Sequence, residues 1–502
     1  MRSVDFTLIV ILLVGLWLRW GLNGTWRLGP DEALYSTWAR RVASGVDVWL
    51  ANTSGVDKPP LFIYAIAGAM SIYGYTEFAT RFPGIVAGTV SVILTYLLAD
   101  RLYGKTEIAH LAALLMALSP FAILYAPTAY ADSVMVMWLL LAAVLACDGR
   151  WGPAGGAAAL ATLTKQEAPL FVPLIVMLGY GRQMALGPQT MRRPLTDLIR
   201  PLLFMPVVAV VLTLAAEVVW ESYRPGQPSP FSLGLANYGG IRPVTPPDVL
   251  PRLTAWWQQA LQYIFASPLL NLLLIVGGVG LPALNHAEHR HADRLLIVAI
   301  GYVVLARTLV SFQLWHRYML VIVPLLCILL ARVIDWGLTV ALRRGLTGLP
   351  ARRPWRRLLP LFLAAMLMLA PVSDALAGRI PVGADHGLYW GIEQTAQFIR
   401  DNVPPGSVIY HRSLGWQFGY YLYGAHLDFW WYPSLAWLAQ TAASRAEHSQ
   451  YIVVPSWESV APIAGAMATE GMQLLPVHVA RRPDGSVSFQ TYRIAPAEDK
   501  HP

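Results

Sequence analysis

The sequence predicts a polytopic α-helical membrane protein that continues into a soluble C-terminal α/β domain. Of the 502 residues, 56% are hydrophobic and only 13% are charged, too few charges to cover the surface of a soluble protein of this length. The net charge of +8 comes largely from arginines in short loops between apolar stretches. That distribution is typical of orientation in a bilayer and argues against a nucleic-acid partner, which would need one basic face.

Eleven apolar stretches are predicted to span the membrane, allowing for short ones that are buried among their neighbours. They are residues 6–22, 80–98, 108–125, 133–146, 153–163, 168–180, 201–220, 268–284, 295–310, 319–334 and 358–375. The fifth and sixth are short and are separated by Thr164-Lys165-Gln166-Glu167. The alternative is that they form one broken helix, which would change the parity of the count.

The basic loops favour eleven spans with a cytoplasmic N-terminus and an extracytoplasmic C-terminal domain, in the inner membrane of the cell. In this orientation the inside loops hold Arg101, Lys105, Arg150, Arg182, Arg192, Arg193, Arg200, Arg290, Arg294, Arg343, Arg344, Arg352, Arg353, Arg356 and Arg357. A broken helix at Lys165 would place the last six of these outside. The eleven-span prediction is therefore preferred.

The predicted domains are a transmembrane domain over residues 1–376 and an extracytoplasmic α/β domain over residues 377–502. In the first outer loop, 23–79, we expect a helix over 31–43, entered through Pro30, and a short apolar helix over 61–70 along the membrane surface. The second outer loop, 221–262, is rich in Pro, Gly, Tyr and Trp, which suits a cover over a site. Its alternative is a disordered connector.

In the C-terminal domain the pattern predicts a helix over 390–402 and short strands over 407–410 and 451–454. A hairpin is predicted from 477–481 and 487–493, joined by Pro483-Asp484-Gly485. The domain has no glycine-rich phosphate loop and no metal-ligand spacing. No nucleotide or organic cofactor is therefore expected.

Three carboxylates stand on the predicted outer side of the membrane. Asp31 and Glu32 follow the first span, and Asp132 stands at the outer end of the fourth. Ionisable groups at a membrane boundary are costly, and a positioned carboxylate can act as a general base or, with a second acid, hold a metal ion. The alternative for Asp31 and for Asp132 is a helix N-cap, a common role for Asp.

Three of the cations predicted on that same side are candidates for the site: Lys58, Lys165 and Arg317. Arg317 lies in Trp315-His316-Arg317-Tyr318, and Tyr64 follows Lys58 on the next apolar segment. The bland interpretation is that these cations reach lipid head groups. Their convergence with the acids favours an anion site at the depth of a lipid phosphate. His286, His289 and His291, with Glu288, fall on the inner side and are interpreted as a solvated loop.

This arrangement resembles the GT-C membrane glycosyltransferases, in particular the bacterial protein-mannosyltransferase-like enzymes and the aminoarabinose transferases that modify lipid A. The motifs that carry the resemblance are Pro30-Asp31-Glu32, Asp57-Lys58-Pro59-Pro60-Leu61, Asp132 and Leu163-Thr164-Lys165. The resemblance covers about the first 180 residues, and more weakly Arg317-Tyr318. One departure is Asp57, where the aminoarabinose branch usually has Glu.

The resemblance implies a metal-dependent or metal-assisted, inverting transfer of a sugar from a polyprenyl-phosphate donor to an acceptor glycan, lipid or protein on the outer face. Carried over by motif, Asp31 with Glu32 and Asp132 supplies the catalytic acids. The donor and its lipid phosphate would be bound by Lys58, Lys165, Arg317, Tyr318, His316 and Tyr64. A divalent metal ion would be held by Asp132 and Asp57.

Three other functions remain open at the level of the sequence. A secondary transporter would need groups near the midplane and repeated halves with broken helices. A ligase or polymerase would transfer whole lipid-linked glycans rather than single sugars. A lipid-binding scaffold would show no turnover of any polyprenyl-phosphate sugar.

Overall fold

The structure, a computed structural model, describes residues 5–22, 24–186, 195–237, 242–283, 289–345 and 355–497. It divides into two compact units, one of Met1–Asn23 and Arg41–Gly383, the other of Gly24–Arg40 and Ala384–Pro502. Predictions for Arg192, Arg193, Arg352, Arg353, His286 and Glu288 lie outside the described residues.

Among the described residues up to 376, the regular elements are helices, and one isolated β-bridge joins Pro243 to Val310. The helices are α1 (Phe6–Gly21), α2 (Pro30–Ala43), α3 (Pro60–Tyr73), α4 (Glu77–Tyr103), α5 (Thr106–Leu118), α6 (Pro120–Tyr125), α7 (Asp132–Cys147), α8 (Trp151–Thr164), α9 (Val172–Leu186), α10 (Leu195–Ser222), α11 (Pro230–Asn237), α12 (Pro246–Gln259), α13 (Pro268–Ala283), α14 (Arg290–Leu309), α15 (Val323–Gly345) and α16 (Trp355–Leu376). Short 3₁₀ helices cover Ala168–Phe171 and His316–Val321, and a π-turn covers Ala260–Ile264.

Four segments of the described helices are long and apolar enough to cross a membrane. They are Glu77–Tyr103, Leu203–Ser222, Val323–Val340 and Leu358–Leu376. The predicted class, a mostly helical protein with apolar helices and a small C-terminal sheet, is confirmed. The number of spans stays a prediction, because several apolar helices are shorter than a bilayer is thick.

In the helical unit, one predicted span was wrong in detail, and the disordered connector that was the alternative for one loop was wrong. The stretch 108–125, predicted as one span, is two helices that meet at Ser119, because Pro120 disfavours helical backbone at the preceding residue and Ser119 adopts φ −58° and ψ 119°. The loop 221–262, predicted as a cover or a disordered connector, contains α11 and α12. Each of these begins at a proline, which suits a first helical turn.

A buried arginine joins the first helix to α5. Arg19 is fully buried, and its guanidinium donates to the carbonyl oxygens of Met116 and Ala117, at 3.0 and 3.1 Å. These carbonyls lie in the last turn of α5, where intrahelical donors run out. Arg19 therefore caps α5 from a neighbouring helix, and its charge is spread over backbone dipoles inside an apolar unit.

The second unit contains a five-stranded mixed sheet. Its strands are β1 (Val408–His411), β2 (Asp428–Trp431), β3 (Gln450–Pro455), β4 (Met472–Arg481) and β5 (Val487–Pro496), and its helices after residue 384 are α17 (Ile392–Asn402), α18 (Gly415–Tyr421), α19 (Leu435–Ala443) and α20 (Val460–Thr469). The strand order is β2-β1-β3-β5-β4. Strand β1 is parallel to β2 and β3, and β5 is antiparallel to β3 and β4.

Helices cover both faces of this sheet because both faces of its central strands are apolar. Residues of α17 and α18 pack with Ile409, Val453 and Phe489 on one face. Residues of α19 and α20 pack with Tyr410 and Ile452 on the other. The predicted helix, the β1 and β3 strands and the β4–β5 hairpin are confirmed, whereas β2 and the helices α18, α19 and α20 were not predicted.

Candidate functional site

The centre of the candidate site, in the first unit, is Lys165, the residue that ends α8. Its backbone turns to an extended conformation, with φ −154° and ψ 128°, so that its side chain leaves the helix axis. The Nζ atom donates to Asp132 Oδ1 at 2.6 Å and lies 2.9 Å from Glu167 Oε1. All three side chains are buried. The structure therefore brings together two predicted residues, Lys165 and Asp132, and adds Glu167.

Asp132 occupies the first turn of α7, where the helix dipole and unpaired N–H groups favour a negative charge. Its Oδ2 atom lies 3.9 Å from Arg317 Nε. The Arg317 guanidinium also lies over the rings of Tyr130 and Tyr318, with centroid distances of 4.6 and 5.8 Å. Asp132 is thus placed between two of the predicted cations, Lys165 and Arg317.

Arg307, at the end of α14, makes a bidentate ion pair with Glu167. Its Nη1 and Nη2 atoms lie 2.7 and 3.1 Å from the two carboxylate oxygens. Burial alone would raise the pKa of Glu167, but Arg307 and then Lys165 outweigh it and hold that pKa well below its usual range. Glu167 is therefore a permanent anion that fixes both cations.

Tyr318 is the aromatic floor of this cluster. The Lys165 ammonium lies 4.2 Å and the Arg307 guanidinium 4.9 Å from its ring centroid, and the residue is buried. Ring faces attract cations most strongly where water is excluded. Tyr318 was predicted from its neighbour Arg317, and the structure places it against three cations.

A cavity of about 270 Å³ opens beside the cluster. It is lined by Lys165, Gln166, Glu167, Tyr318, Phe231, Ser232, Leu235 and Phe312. A larger groove of about 520 Å³ shares Phe231 with it and is otherwise lined mostly by apolar side chains of α8 to α11, together with Glu217 and Glu221. A charged pocket next to an apolar groove suits an amphiphile with a polar head and a hydrocarbon chain.

Lys58 and Asp57 are linked to the Lys165 turn through Gln166. Lys58 Nζ lies 2.9 Å from Asp57 Oδ2, the Gln166 side-chain amide donates to the Asp57 carbonyl at 3.0 Å, and Asn237 donates to the Asp57 carboxylate at 2.9 Å. A Cβ atom on Gly234 would meet the Gln166 amide nitrogen at 2.0 Å. Glycine at this position therefore allows α11 to pack directly against the hydrogen bond between Gln166 and Asp57.

Tyr64 and His316 have other contacts in the first unit. The Tyr64 hydroxyl donates to the Val48 carbonyl at 2.6 Å and accepts from the Trp220 indole at 3.1 Å. The His316 ring packs edge-on against Tyr263, and burial lowers its pKa. Both residues are therefore fixed by neighbours in the structure.

Asp31 and Glu32 belong to the second unit, in the first turn of α2. Glu32 is fully buried, and its Oε2 accepts the backbone N–H of Gly29 at 2.9 Å, the reach-back contact of a helix N-terminus. Asp31 is partly exposed beside it. The Glu32 carboxylate therefore stabilises the start of its own helix.

The two carboxylates that were predicted to hold a metal ion are both paired with other side chains. Asp132 is engaged by Lys165 and Arg317, and Asp57 is engaged by Lys58 and Asn237. Among the described residues, no group of three or more His, Cys, Asp and Glu side chains could hold a metal ion. Ammonium and guanidinium groups occupy the positions that a cation would take, so the divalent metal stays a prediction that chelation tests.

Arg307 and Glu167 were missed as site residues in the sequence. Glu167 stood in the polar turn that separates two predicted spans, and Arg307 lay inside a predicted span. Charged residues within apolar spans are rare and usually functional. That signal marks Arg307, but it also marks Arg19, Arg81 and Arg332, which lie inside other predicted spans.

Comparisons with known proteins identify the fold. Residues 57–220 match the family described as dolichyl-phosphate-mannose-protein mannosyltransferase. An undecaprenyl phosphate-alpha-4-amino-4-deoxy-L-arabinose arabinosyl transferase 1 from Pseudomonas fluorescens is 26% identical over 289 residues, which are 54% of this chain and 46% of that protein. A Pseudomonas aeruginosa transferase with this activity in its name is 29% identical over 174 residues, 32% of this chain and 31% of that protein. The chain spans less than half of the length of the curated relatives it matches.

Two solved structures share the architecture over nearly the whole chain. ArnT from Cupriavidus metallidurans, bound to undecaprenyl phosphate, superposes with a TM-score of 0.63 at 16% identity and 97% coverage of both chains. An Archaeoglobus fulgidus oligosaccharyltransferase tethered to an acceptor peptide gives a TM-score of 0.55 at 12% identity, covering 96% of this chain and 73% of that one. The chain is therefore a multi-pass membrane protein with the GT-C fold, and its resemblance to the GT-C superfamily of membrane glycosyltransferases is confirmed.

Proposed function

We propose that this protein is a membrane glycosyltransferase that moves a sugar from a polyprenyl-phosphate donor to an acceptor hydroxyl, with inversion at the anomeric carbon. The observation that carries the proposal is the cluster of Lys165, Arg317 and Tyr318 beside a cavity that adjoins an apolar groove. Such a site offers cations to a phosphate and apolar walls to a prenyl chain. The names of the similar transferases, which act with an undecaprenyl-phosphate-linked sugar, support this choice.

The proposed reaction is a single displacement. The acceptor oxygen attacks the anomeric carbon, the bond from that carbon to the phosphate oxygen breaks, and the lipid phosphate leaves with the bonding electrons. Lys58, Lys165 and Arg317 stabilise the charge that develops on the leaving phosphate. Asp31 takes the proton of the attacking hydroxyl as the general base. Asp132 and Glu167 hold the cations in place, so they act as positioning residues.

We also propose the finer topology. The protein spans the inner membrane eleven times, with the N-terminus in the cytoplasm and the C-terminal domain outside, as the basic loops favour. A lipid-linked donor fits this location, because a flipped lipid carries its sugar to a face that nucleotide sugars do not reach. The acceptor is a glycan, a lipid or a protein. A ligase that transfers whole lipid-linked glycans and a secondary transporter are the alternatives.

The test uses purified full-length protein in lipid nanodiscs and a panel of polyprenyl-phosphate sugars, with free polyprenyl phosphate as the measured product. Asp31→Asn should lower its release at least 10²-fold, as expected for loss of a general base, while the protein stays folded. Asp428→Asn, an exposed acid at the start of β2, is the matched control and should behave like the wild type. Normal turnover by the Asp31→Asn variant would remove Asp31 from the mechanism, and no turnover by the wild type with any donor would favour the lipid-binding scaffold.

A further inference from the structure

Three exposed tryptophans lie at one edge of the sheet in the second unit. Trp431 is the last residue of β2, Trp457 follows β3 by two positions, and Trp416 lies in the first turn of α18, just after β1. Their exposed fractions are 59%, 40% and 53%. Exposed large aromatic side chains that collect at one place on a protein surface mark an interaction site. The proposed transfer reaction does not use any of them.

Hydrogen bonds draw the three loops at this edge together. Glu458, next to Trp457, accepts from the hydroxyls of Tyr432 and Ser413, at 3.2 and 3.4 Å. Tyr432 follows β2, and Ser413 lies between β1 and α18. The carboxylate of Glu458 therefore connects the segments that follow β1, β2 and β3, and these segments carry the three tryptophans.

Trp431 and Trp457 lie on the face of the sheet that α17 and α18 cover, and Trp416 belongs to α18 itself. Trp431 is two residues after Phe429, which packs with that core, and alternate strand residues point to the same face. Trp457 packs edge-on against Tyr389 and Phe489 of the same core, at 5.5 and 5.9 Å. The tryptophans and Glu458 therefore form one surface, here called the tryptophan edge.

The topology favours a ligand at this position. Strand β1 lies between β2 and β3 and is parallel to both. After β1 the chain forms β2 on one side of it and then crosses over to form β3 on the other side. The carboxyl ends of parallel strands at such a switch point are where open α/β sheets bind ligands.

A buried polar group at the same edge points to a ligand independently. His411, the last residue of β1, is only 6% exposed, and its Nδ1 has no hydrogen-bond partner among the described residues. Its ring packs edge-on against Phe418, and a Cβ atom on Gly415 would lie 2.9 Å from it. A buried polar atom without a partner is uncommon in proteins and calls for an explanation such as a ligand or a bound water.

We propose that the tryptophan edge binds carbohydrate, specifically a neutral or amine-bearing oligosaccharide of hexoses. Indole faces match the apolar C–H face of a pyranose ring, while the sugar hydroxyls need hydrogen-bonding partners at the rim. Glu458 and the exposed Ser413 supply those partners. The carboxylate of Glu458 favours an amino sugar and opposes phosphorylated or carboxylated ligands. This binding is separate from the proposed transfer and does not depend on it.

The test is a binding titration of the full chain in lipid nanodiscs, since glycoside detergents would compete for the surface. The probes are cellotetraose, which is neutral, and chitosan tetrasaccharide, which carries amines. Trp431→Ala and Trp416→Ala should each weaken both interactions about tenfold, which corresponds to about 1.4 kcal/mol. Trp437→Ala is the matched control, because Trp437 is also exposed, at 36%, but lies on α19 beside Trp430. It should bind like the wild type.

Two further variants separate binding from folding. Trp431→Phe keeps an aromatic ring and should retain most of the affinity that Trp431→Ala loses. A folding defect would lower the affinity of both variants. Glu458→Gln should weaken chitosan tetrasaccharide about fivefold more than cellotetraose, as expected for loss of one exposed charge pair. The proposal is overturned if neither probe binds at millimolar concentration, if Trp437→Ala weakens binding as much as Trp431→Ala, or if the tryptophan variants lose binding to phosphatidylglycerol vesicles instead.

Discussion

Helix α14 contributes a charged residue to two separate buried ion networks, one at each of its ends. The two networks differ in their surroundings. Asp293 stands near the start of α14 and Arg307 near its end, fourteen residues apart, which is about 21 Å along the helix. At the first end, Arg332 lies 3.1 Å from Asp293, Tyr103 donates to Asp293 at 3.0 Å, and Lys105 pairs with Asp335 at 2.6 Å. This network is packed between α4, α14 and α15.

At the other end of α14, Arg307 holds Glu167, and Glu167 holds Lys165 beside a cavity of about 270 Å³. Both networks use buried acids and bases, so burial of charge alone does not identify a functional site. The difference is that the Lys165 network borders an open volume with an aromatic floor, whereas the Arg332 network directs its groups at one another. The Lys165 network is therefore suited to bind an anion, whereas the Arg332 network joins helices.

The largest effect is expected at the Arg332 end. Arg332→Met would leave Asp293 charged and buried without its guanidinium, and loss of one partner of a buried pair costs about 3–5 kcal/mol. We expect that loss in the free energy of unfolding, with the turnover of the remaining folded protein within about twofold of wild type. Thermal unfolding and donor turnover measured on the same preparation check this.

The double variant Arg332→Met with Asp293→Leu is the control. Replacing both partners by apolar side chains removes the unpaired charge, so most of the lost stability should return. If the single variant instead stayed stable but lost turnover, the distinction between the two ends of α14 would be wrong.

At the Lys165 end the expected effect is on catalysis. Lys165→Met removes a cation that faces the cavity, and loss of one donor to a developing charge typically lowers turnover about 10²–10³-fold. Arg307 and Arg317 remain beside Glu167 and Asp132, so the fold should persist. The measurement is release of polyprenyl phosphate per folded protein.

Lys105→Met is matched to this change, because Lys105 is also a lysine in an ion pair, with Asp335. It should leave turnover unchanged. Equal losses in both lysine variants would mean that the cavity beside Lys165 has no special role.

The sequence was enough to predict Lys165, Asp132 and Arg317 on one side of the membrane, since polar residues at the ends of apolar spans are visible as interruptions. It was not enough to predict that Lys165 and Arg317 pair with Asp132, or that Glu167 links Lys165 to Arg307. Contacts such as Lys165 with Asp132 and Arg307 with Glu167 join residues 33 and 140 positions apart, and helix packing alone decides them. Periodicity within one span has no information about the neighbouring span.

In the second unit, too, the sequence predicted elements that have a local signal and missed one that depends on distant contacts. The β4–β5 hairpin was found because Pro483-Asp484-Gly485 is a turn signal that the adjacent residues carry. Strand β2 was missed because Asp428–Trp431 is four residues long with exposed ends, and it lies at the edge of the sheet, where it pairs with β1. Glu32 looked catalytic in the sequence, although its carboxylate caps the start of its own helix.

His411 is a buried titratable group that, unlike the groups at the two ends of α14, is in no ion pair among the described residues. Burial lowers its pKa to about 4, below the usual 6.5. Between pH 4 and pH 6.5 the unfolded chain binds a proton at His411 that the folded chain does not. The contribution of neutral His411 to the free energy of unfolding is therefore fully present above pH 6.5 and is lost as the pH falls toward 4. The loss is on the order of 3 kcal/mol. His411→Gln should remove it, so thermal unfolding of the variant should depend less on pH than that of the wild type. An unchanged pH dependence would show that His411 is not the group responsible.

The smallest effect is expected for Tyr64, which the sequence assigned to donor binding. In the structure its hydroxyl donates to the Val48 carbonyl and accepts from the Trp220 indole, so it ties the first outer loop to α10. Tyr64→Phe loses both hydrogen bonds, and we expect a loss of about 1–2 kcal/mol in the free energy of unfolding. If the hydroxyl only positions the loop, the KM for the polyprenyl-phosphate sugar should stay within about twofold of wild type. A tenfold rise in KM with unchanged stability would instead place Tyr64 on the donor and extend the Lys165 cluster toward α3.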